Sequence, residues 1–277
     1  MYIVTGANGG IGRAITETLA RFGYRVIMAC RNRQKAEQVR EQITALTGNS
    51  KIEVKELDLA SFASVKRFAA QLLQQGVKID ALINNAGVMC QQFGLTEDGM
   101  ERMLQVNYAS PWLLTRLLLP VFSPGCRILN TSSCTYRLGK IDEHFFDITA
   151  ENYGLFKIYG RSKLGVLLFT AELANRLEGR EITVNAIDPG VVDTGMITMH
   201  RWFDPLTDLF FRPFIKSPQK GAATALHLIL SEAGKTVNGG FWVNKRLREM
   251  PEAVKKQEQR KKLWEMTENK LANYLKD

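Results

Sequence analysis

The chain has 277 residues, of which 45% are hydrophobic and 23% are charged, and its formal net charge is +9. These ordinary proportions exclude intrinsic disorder, collagen-like repeats and small disulfide-stapled scaffolds, and they predict a single globular domain over residues 1–277. The positive charge alone does not choose between an anionic ligand, nucleic acid and a membrane surface.

Short apolar strands alternate with amphipathic helices along the chain. The strand patterns cover residues 2–4, 25–29, 52–56, 81–83, 127–130, 183–187 and 240–243. Helical periodicity covers residues 11–22, 33–47, 61–75, 97–122 with a break near Pro111, 153–177 and 218–230. Strands that alternate with helices in this way form right-handed crossovers. The pattern therefore predicts a three-layer α/β/α Rossmann fold whose doubly wound parallel sheet has about seven strands.

Two segments depart from this alternation. Residues 190–216 contain an aromatic cluster, which predicts a lid over a substrate pocket, with contact to a membrane as the alternative. Its members are Trp202, Phe203, Phe210, Phe211 and Phe214. Residues 245–277 form a charged, helix-prone tail, which holds eight basic and three acidic residues between positions 245 and 262, a balance of +5. A solvated helix face is the simplest interpretation of the tail, and contact with a membrane or an anionic partner stays open.

The four cysteines form no C-x-x-C pair, and no signal peptide fits before the glycine turn at Gly6. We therefore expect reduced thiols and a cytoplasmic location. For Cys134, next to Ser133, a small buried thiol is expected, and a position facing the substrate is the alternative. No apolar run approaches the ~20 residues that a membrane span needs. The histidines, His144, His200 and His227, are far apart in sequence, so no metal site is expected.

A glycine-rich turn follows the first strand and opens into a helix. It comprises Thr5, Gly6, Asn8, Gly9, Gly10, Ile11 and Gly12. Glycines allow the backbone to turn tightly beside a pyrophosphate, and the helix N-terminus offers N–H groups to the anion. An ordinary glycine turn is the alternative, but the position at the first strand-to-helix junction favours a dinucleotide site.

The second strand leads to Arg31, where an enzyme that uses NAD usually has an acidic side chain for the ribose 2′-hydroxyl. An arginine instead suits the 2′-phosphate of NADP(H), with help from Arg13 or Arg33, although a solvated arginine is the alternative. The ends of the next two strands are expected beside the same cofactor. They contribute Asp58 and Leu59 near the adenine, and Asn85, Ala86 and Gly87 farther along.

Tyr159 and Lys163 are four residues apart on a predicted helix, so both side chains project from one face. A free tyrosine has a pKa of about 10, and the Lys163 ammonium is expected to lower the pKa of Tyr159 and make it a usable proton donor and acceptor. Ser133, at the end of the fifth strand, can hydrogen-bond a substrate oxygen, with Ser132 pointing the other way. Asn107 can hold a water or a backbone group that extends the proton path.

This ordered set of motifs resembles the short-chain dehydrogenase/reductase family. The match includes T-G-x-x-x-G-x-G at residues 5–12, N-N-A-G at 84–87, Asn107, Ser133, Y-x-x-x-K at 159–163 and P-G at 189–190. Further stretches, such as A-C-R-N at 29–32 and R-I-L-N-T-S-S at 127–133, resemble the retinol dehydrogenase group. The resemblance implies catalysis by Tyr159, Lys163, Ser133 and Asn107, and a cofactor that also contacts Pro189, Gly190 and Val192.

The resemblance implies an NADP(H)-dependent oxidoreductase that interconverts a lipophilic alcohol and an aldehyde or ketone. A catalytically idle NADP(H)-binding sensor or scaffold protein is the alternative, and a basic nucleic-acid-binding protein is a more distant one. No nucleic-acid module is recognisable in the sequence. We therefore expect a small lipophilic carbonyl or alcohol as partner, without nucleic acid or a transmembrane segment, and a homo-oligomer is left open.

Overall fold

The computed structural model describes residues 1–192 and 216–275, and its centre is an eight-stranded sheet in the order β3-β2-β1-β4-β5-β6-β7-β8. The strands are β1 (Tyr2–Thr5), β2 (Val26–Cys30), β3 (Ile52–Glu56), β4 (Ile79–Asn84), β5 (Phe122–Thr131), β6 (Ile182–Asp188), β7 (Phe241–Val243) and β8 (Arg246–Arg248). Neighbouring strands are parallel except β7 and β8. The strand order reverses between β1 and β4, so the carboxyl ends of these strands open a crevice that can hold a ligand.

Helices cover both faces of the sheet. They are α1 (Gly10–Arg21), α2 (Arg33–Thr47), α3 (Phe62–Gln74), α4 (Arg102–Leu104), α5 (Ser110–Leu118), α6 (Leu155–Arg176), α7 (Pro218–Leu230), α8 (Ala233–Thr236), α9 (Glu252–Lys255), α10 (Gln257–Lys270) and α11 (Ala272–Leu275). One core lies under α1, α2 and α7, and the other lies under α3, α5 and α6. The predicted three-layer α/β/α fold is confirmed, with an eighth, antiparallel strand added at the edge. Within the described ranges, no helix has the length and apolar character to cross a bilayer.

The aromatic cluster of the predicted lid, from Trp202 to Phe214, lies outside the described residues. The two described residues that flank it, Val192 and Lys216, pair as an isolated parallel bridge. Lys216 Nζ also donates to the carbonyl of Pro189 at 3.1 Å. Val192 and Lys216 therefore lie next to each other beside the end of β6.

The helix predicted at residues 97–122 begins later, at Arg102, and it continues through Pro111. Between α4 and α5 the chain forms a π-helical turn (Gln105–Ala109). Pro111 has no N–H to donate to the carbonyl of Asn107, four residues earlier, and the hydrogen bonding widens at this point into the π-helical turn. The irregular turn contains Asn107 itself, which the sequence analysis assigned to the catalytic set.

The charged tail packs against α5 and α6 through Trp264. This residue is 2% exposed, and its ring centroid lies 5.1 Å from that of Trp112 on α5. The guanidinium of Arg176, on α6, lies 4.3 Å from the centre of the Trp264 ring. The hydroxyl of Tyr108 lies 2.6 Å from Thr267 Oγ1. One face of the tail is therefore part of the core, whereas its charge pattern suggested a solvated helix.

Candidate active site

The glycine-rich turn places an uncapped helix N-terminus at the crevice. Gly9 precedes α1, and no side chain accepts a hydrogen bond from the first turn of that helix. The first N–H groups of a helix have no partner within it, so those of α1 are available to an anion. Gly6 has a φ of 66°, which glycine adopts readily, and a Cβ added to Gly12 would lie 2.3 Å from the Gly6 carbonyl oxygen. The turn therefore has the shape of a pyrophosphate cradle.

Two side chains hold the ends of β1 and β4 together beneath this turn. The hydroxyl of Thr5 accepts hydrogen bonds from the N–H groups of Asn85 at 3.0 Å and Ala86 at 2.9 Å. The Asn85 side-chain amide donates to the Thr5 carbonyl at 2.9 Å. Thr5 and Asn85 thus shape the strand ends. Gly87, two residues after Asn85, lines two clefts that open beside these strand ends.

A cleft of about 410 Å³ lies beside the ends of β1, β2 and β3, and we call it the adenosine cleft. Gly6, Asn8, Arg31, Leu59, Ala86 and Gly87 are among its lining residues. Lys35, in the first turn of α2, lines the same cleft as Arg31. The two helpers expected from the sequence, Arg13 and Arg33, do not line it, and the Arg33 Nε instead lies 3.9 Å from the Glu37 carboxylate. Lys35, rather than Arg13 or Arg33, is therefore the cationic residue that lines this cleft together with Arg31.

Asp58 itself is not among the residues that line the adenosine cleft, and its expected position near the adenine stays a prediction. Its carboxylate accepts a hydrogen bond from the N–H of Ala60 at 2.9 Å and shapes the turn before α3. Leu57 and Leu59, on either side of it, line the cleft.

Tyr159 and Lys163 line a second cleft of about 610 Å³ together with Ser133, and we call it the reaction cleft. Lys163 Nζ lies 5.5 Å from the centre of the Tyr159 ring and donates to the carbonyl of Thr131 at 2.9 Å. Lys163 is 3% exposed. Burial lowers the pKa of Lys163 to about 8, and the Asp188 carboxylate opposes that effect. A substantial fraction of Lys163 is therefore charged at neutral pH in spite of its burial.

The pKa of Tyr159 is raised to about 12, first by burial and then by the charges of Asp188 and Cys134, while hydrogen bonding with Ser133 lowers it. This direction is opposite to the prediction from the sequence, which relied on the ammonium of Lys163. That ammonium bonds a backbone carbonyl rather than the phenol, and burial of the phenol dominates. Tyr159 is therefore a protonated phenol at neutral pH and is ready to donate.

The two adjacent serines, which directly follow β5, have different surroundings. Ser132 is 1% exposed, and its hydroxyl donates to the backbone carbonyl of Lys163 at 2.9 Å. Ser133 Oγ accepts a long hydrogen bond of 3.4 Å from the N–H of Thr135, and its hydroxyl lies close enough to Tyr159 to hydrogen-bond the phenol oxygen. Ser133 is therefore the better placed of the two to meet a substrate oxygen.

Asn107 uses its side-chain amide to hold the backbone beyond β4. Its Oδ1 accepts from the N–H of Val88 at 2.8 Å, and its Nδ2 donates to the Val88 carbonyl at 2.9 Å. The same Nδ2 lies 3.2 Å from Ser162 Oγ on α6. Asn107 therefore joins β4 to the helix that bears Tyr159 and Lys163, and it fixes a backbone group there as the sequence analysis allowed.

The residues that follow β6 complete one wall of the reaction cleft. Pro189, Gly190 and Val192 line it, and Ile11 at the start of α1 faces the same space. Asp188 Oδ1 accepts a hydrogen bond from the N–H of Gly190 at 2.8 Å, which fixes the turn.

The far part of the reaction cleft is mainly apolar. Met89, Cys90, Leu155, Phe156 and Val191 are among its lining residues. Cys134 also lines it and is exposed, so the expectation of a small buried thiol is wrong. Cys134 begins a short 3₁₀ turn (Cys134–Leu138) that leaves the sheet, whereas a residue within β5 would be covered by helices.

The structure thus brings the predicted catalytic residues to one cleft, with Asn107 behind it, and most of the predicted cofactor residues to the two clefts. Sequence reasoning missed three charged residues, Lys35, Arg102 and Asp188. Asp188 stands directly before the P-G pair and could have been noticed there, whereas Lys35 and Arg102 belong to no motif. In the part of the chain that the structure describes, no group of three His, Cys, Asp or Glu side chains is placed to hold a metal ion.

Comparison with known proteins gives matches along most of the chain. The family model of short chain dehydrogenases matches residues 1–202. Retinol dehydrogenase 14 of Mus musculus is 39% identical over 282 residues, which cover 96% of this chain and 84% of that protein. Retinol dehydrogenase 11 of Homo sapiens is 40% identical over 243 residues, which cover 87% of this chain and 76% of that protein. These matches confirm the resemblance seen in the motifs.

Solved structures share the fold. A protein from Mycobacterium Paratuberculosis has a TM-score of 0.78 at 29% identity, covering 98% of this chain and 92% of that one. A short chain dehydrogenase from Escherichia coli CFT073, complexed with NADPH, has a TM-score of 0.70 at 25% identity, covering 88% and 96%. A short chain dehydrogenase from Burkholderia cenocepacia J2315, in complex with NADP, has a TM-score of 0.69 at 26% identity, covering 87% and 94%.

Proposed function

The chain belongs to the short chain dehydrogenase family, and from that premise we propose that it is an NADP(H)-dependent oxidoreductase that interconverts a lipophilic alcohol and an aldehyde or ketone. The observation that carries the proposal is the single cleft that Tyr159, Ser133 and Lys163 line together. A proton donor, a hydroxyl and a cation lie there beside the uncapped N-terminus of α1. A nicotinamide cofactor supplies or accepts the hydride when it is bound.

The residues present fit a dinucleotide with a 2′-phosphate. The α1 N-terminus offers backbone N–H groups to a pyrophosphate, and Arg31 and Lys35 line the adenosine cleft, where the described lining residues include no acidic side chain. Two cations without a carboxylate suit a phosphate better than a hydroxyl. The NADPH and NADP complexes of two structural relatives support the same choice.

In the reducing direction, each residue of the reaction cleft has a distinct task. Ser133 donates a hydrogen bond to the carbonyl oxygen and polarises the carbon that takes the hydride. Tyr159, whose raised pKa keeps it protonated, gives its phenolic proton to that oxygen as the C–O π bond breaks. Lys163 stabilises the phenolate left behind, and Asn107 holds the backbone of Val88 in place.

Support for a lipophilic substrate comes from the apolar walls of the reaction cleft, formed in part by Met89, Leu155, Phe156 and Val191. Each methylene removed from water contributes about 0.8 kcal/mol. The specificity constant kcat/KM should therefore rise several-fold per methylene along a series of straight-chain aldehydes until the cleft is filled.

The test is NADPH oxidation with straight-chain aldehydes from butanal to dodecanal, measured for the wild type and for Tyr159→Phe. Loss of the transferable proton should lower kcat by about 10²–10⁴-fold. Binding of NADPH should change little, because the ring remains. Tyr153→Phe is the matched control, since the Tyr153 hydroxyl donates to the Cys90 carbonyl and does not face the reaction cleft.

Two results would overturn the proposal. Wild-type kcat in Tyr159→Phe would remove the proton donor from the mechanism. Tight NADPH binding without turnover of any aldehyde or alcohol would instead favour the idle sensor or scaffold. A cytoplasmic location and a homo-oligomer stay predictions, which cell fractionation and light scattering of the purified protein test.

A further inference from the structure

Three cationic residues line the reaction cleft, namely Arg31, Lys163 and Arg102. Among the residues that the structure describes, no aspartate or glutamate lines it. The proposed function uses two of the three cationic residues. Arg31 is shared with the adenosine cleft and faces the 2′-phosphate site, and Lys163 stands beside the proton donor Tyr159. Arg102 has no task in NADP(H) binding or in proton transfer.

Arg102 lies at the substrate side of the cleft. It begins α4, its backbone N–H donates to the Gly94 carbonyl at 3.0 Å, and one guanidinium nitrogen would lie 4.0 Å from a Cβ added to Gly94. Its charge lowers the pKa of Cys90, another lining residue, against the larger effect of burial. Arg102 therefore faces the stretch that follows Gly87, on the far side of the cleft from the adenosine end.

The guanidinium of Arg102 has no carboxylate within ion-pair distance among residues 1–192 and 216–275. The adjacent acid, Glu101, is 1% exposed and accepts a hydrogen bond from the N–H of Leu104 at 2.8 Å, so it caps the helix from within the core. The charge of Arg102 lowers the pKa of Glu101, but burial dominates and raises it. Within those two ranges the guanidinium thus has no competing carboxylate.

The cleft combines this cation with the apolar side chains of Leu155 and Phe156 and with the proton donor Tyr159. A ligand that satisfies all of them has a carbonyl group, an apolar chain and a terminal anion. A lone guanidinium binds a carboxylate through two parallel hydrogen bonds, whereas a phosphate dianion usually gathers several cations.

We propose that Arg102 selects carbonyl substrates with a carboxylate at the end opposite to the reacting group, namely long-chain oxo acids and the corresponding hydroxy acids. The proposal rests on the proposed function and names its substrate class. An oxo acid, NADPH and a proton give a hydroxy acid and NADP⁺: a new C–H bond forms at the carbonyl carbon, Tyr159 supplies the proton to oxygen, and the carboxylate is unchanged.

The experiment compares kcat/KM for NADPH-dependent reduction of 12-oxododecanoic acid and its methyl ester. Arg102 is exposed, so solvent screens its charge, and the wild type should prefer the acid by roughly fivefold. In Arg102→Gln the ratio should fall to about one, and Arg102→Lys should keep part of it because a point charge remains. Lys157→Gln removes an exposed cation at the start of α6 that does not line the cleft, and it should keep the wild-type ratio.

A wild-type ratio near one, or a ratio that survives Arg102→Gln, overturns the assignment of Arg102, while reduction of the ester leaves the proposed function standing. If the wild type reduces neither compound, the proposed function fails, and calorimetric titration with decanoate and decanol still decides about Arg102. The wild type should bind decanoate roughly fivefold more tightly relative to decanol than Arg102→Gln does. Equal relative affinities overturn the assignment.

Discussion

Replacement of Arg31 and Lys35 should remove the preference for NADPH over NADH. Both side chains are exposed and line the adenosine cleft, so solvent screens their charges. A hydrogen bond to a charged group contributes about 1.5–3 kcal/mol when buried, and about 1 kcal/mol is the better figure for exposed cations. Arg31→Ser should therefore weaken NADPH binding about fivefold, and the double variant with Lys35→Ser about thirtyfold. NADH has no 2′-phosphate, and its Kd should move by less than about twofold in both variants.

The assay is a fluorescence titration of NADPH and NADH into the purified protein. Arg33→Ser is the matched control, because Arg33 is equally exposed, lies between the two cations in sequence and pairs with Glu37 outside the cleft. The two cations act on one phosphate, so their effects need not add, and the double variant measures their coupling. Equal wild-type affinities for the two cofactors, or a control that loses as much as Arg31→Ser, would refute the assignment.

Three other changes test separate parts of the structure. Burial lowers the pKa of Lys163 to about 8, and the Asp188 carboxylate partly offsets that effect, so Asp188→Asn should lower the pKa of Lys163 further. The activity that needs protonated Lys163 should then be lost at a lower pH. A profile of kcat/KM against pH whose alkaline limb does not move would contradict this prediction. Trp264→Ala should cost about 3–5 kcal/mol of unfolding free energy in urea, and a cost below about 1 kcal/mol would show that the tail is not part of the core. Gly12→Ala should lower the Tm and weaken NADPH binding at least tenfold, since the added Cβ would lie 2.3 Å from a backbone carbonyl oxygen. An added Cβ on Gly9 would meet nothing within 4 Å, so Gly9→Ala should keep the wild-type Tm, and equal losses in both variants would contradict the steric argument.

Features that depend on the local backbone could be predicted from the sequence. The strand and helix periodicity of the apolar residues predicted the three layers of the fold, and the glycine spacing predicted the position of the α1 N-terminus. Both patterns follow from the geometry of the local backbone. Tyr159 and Lys163 share a helix face for the same reason. The placement of Asp58 near the adenine stays a prediction.

Features that depend on burial and on distant neighbours could not be predicted. The pKa of Tyr159 is governed by desolvation and by Asp188, which is 29 residues away in sequence and joins the cluster only when β6 pairs with β5. The burial of one face of the tail could not be predicted either, because its buried residues, Leu263, Trp264 and Thr267, stand among charged residues in the sequence. Only the position of α10 on α5 and α6 shows that they are buried.

The packing of the tail has a consequence for the order of folding. The hydrogen bond between Tyr108 and Thr267 spans 159 residues, and the ion pair between Arg116 and Glu268 spans 152. During synthesis, the outer faces of α5 and α6 stay uncovered until residues 267 and 268 have left the ribosome. Contacts of such long sequence separation slow folding and leave apolar surface open to aggregation meanwhile. A chain that stops short of residue 263 should therefore expose the indole of Trp112 and accumulate as a chaperone-bound or insoluble species.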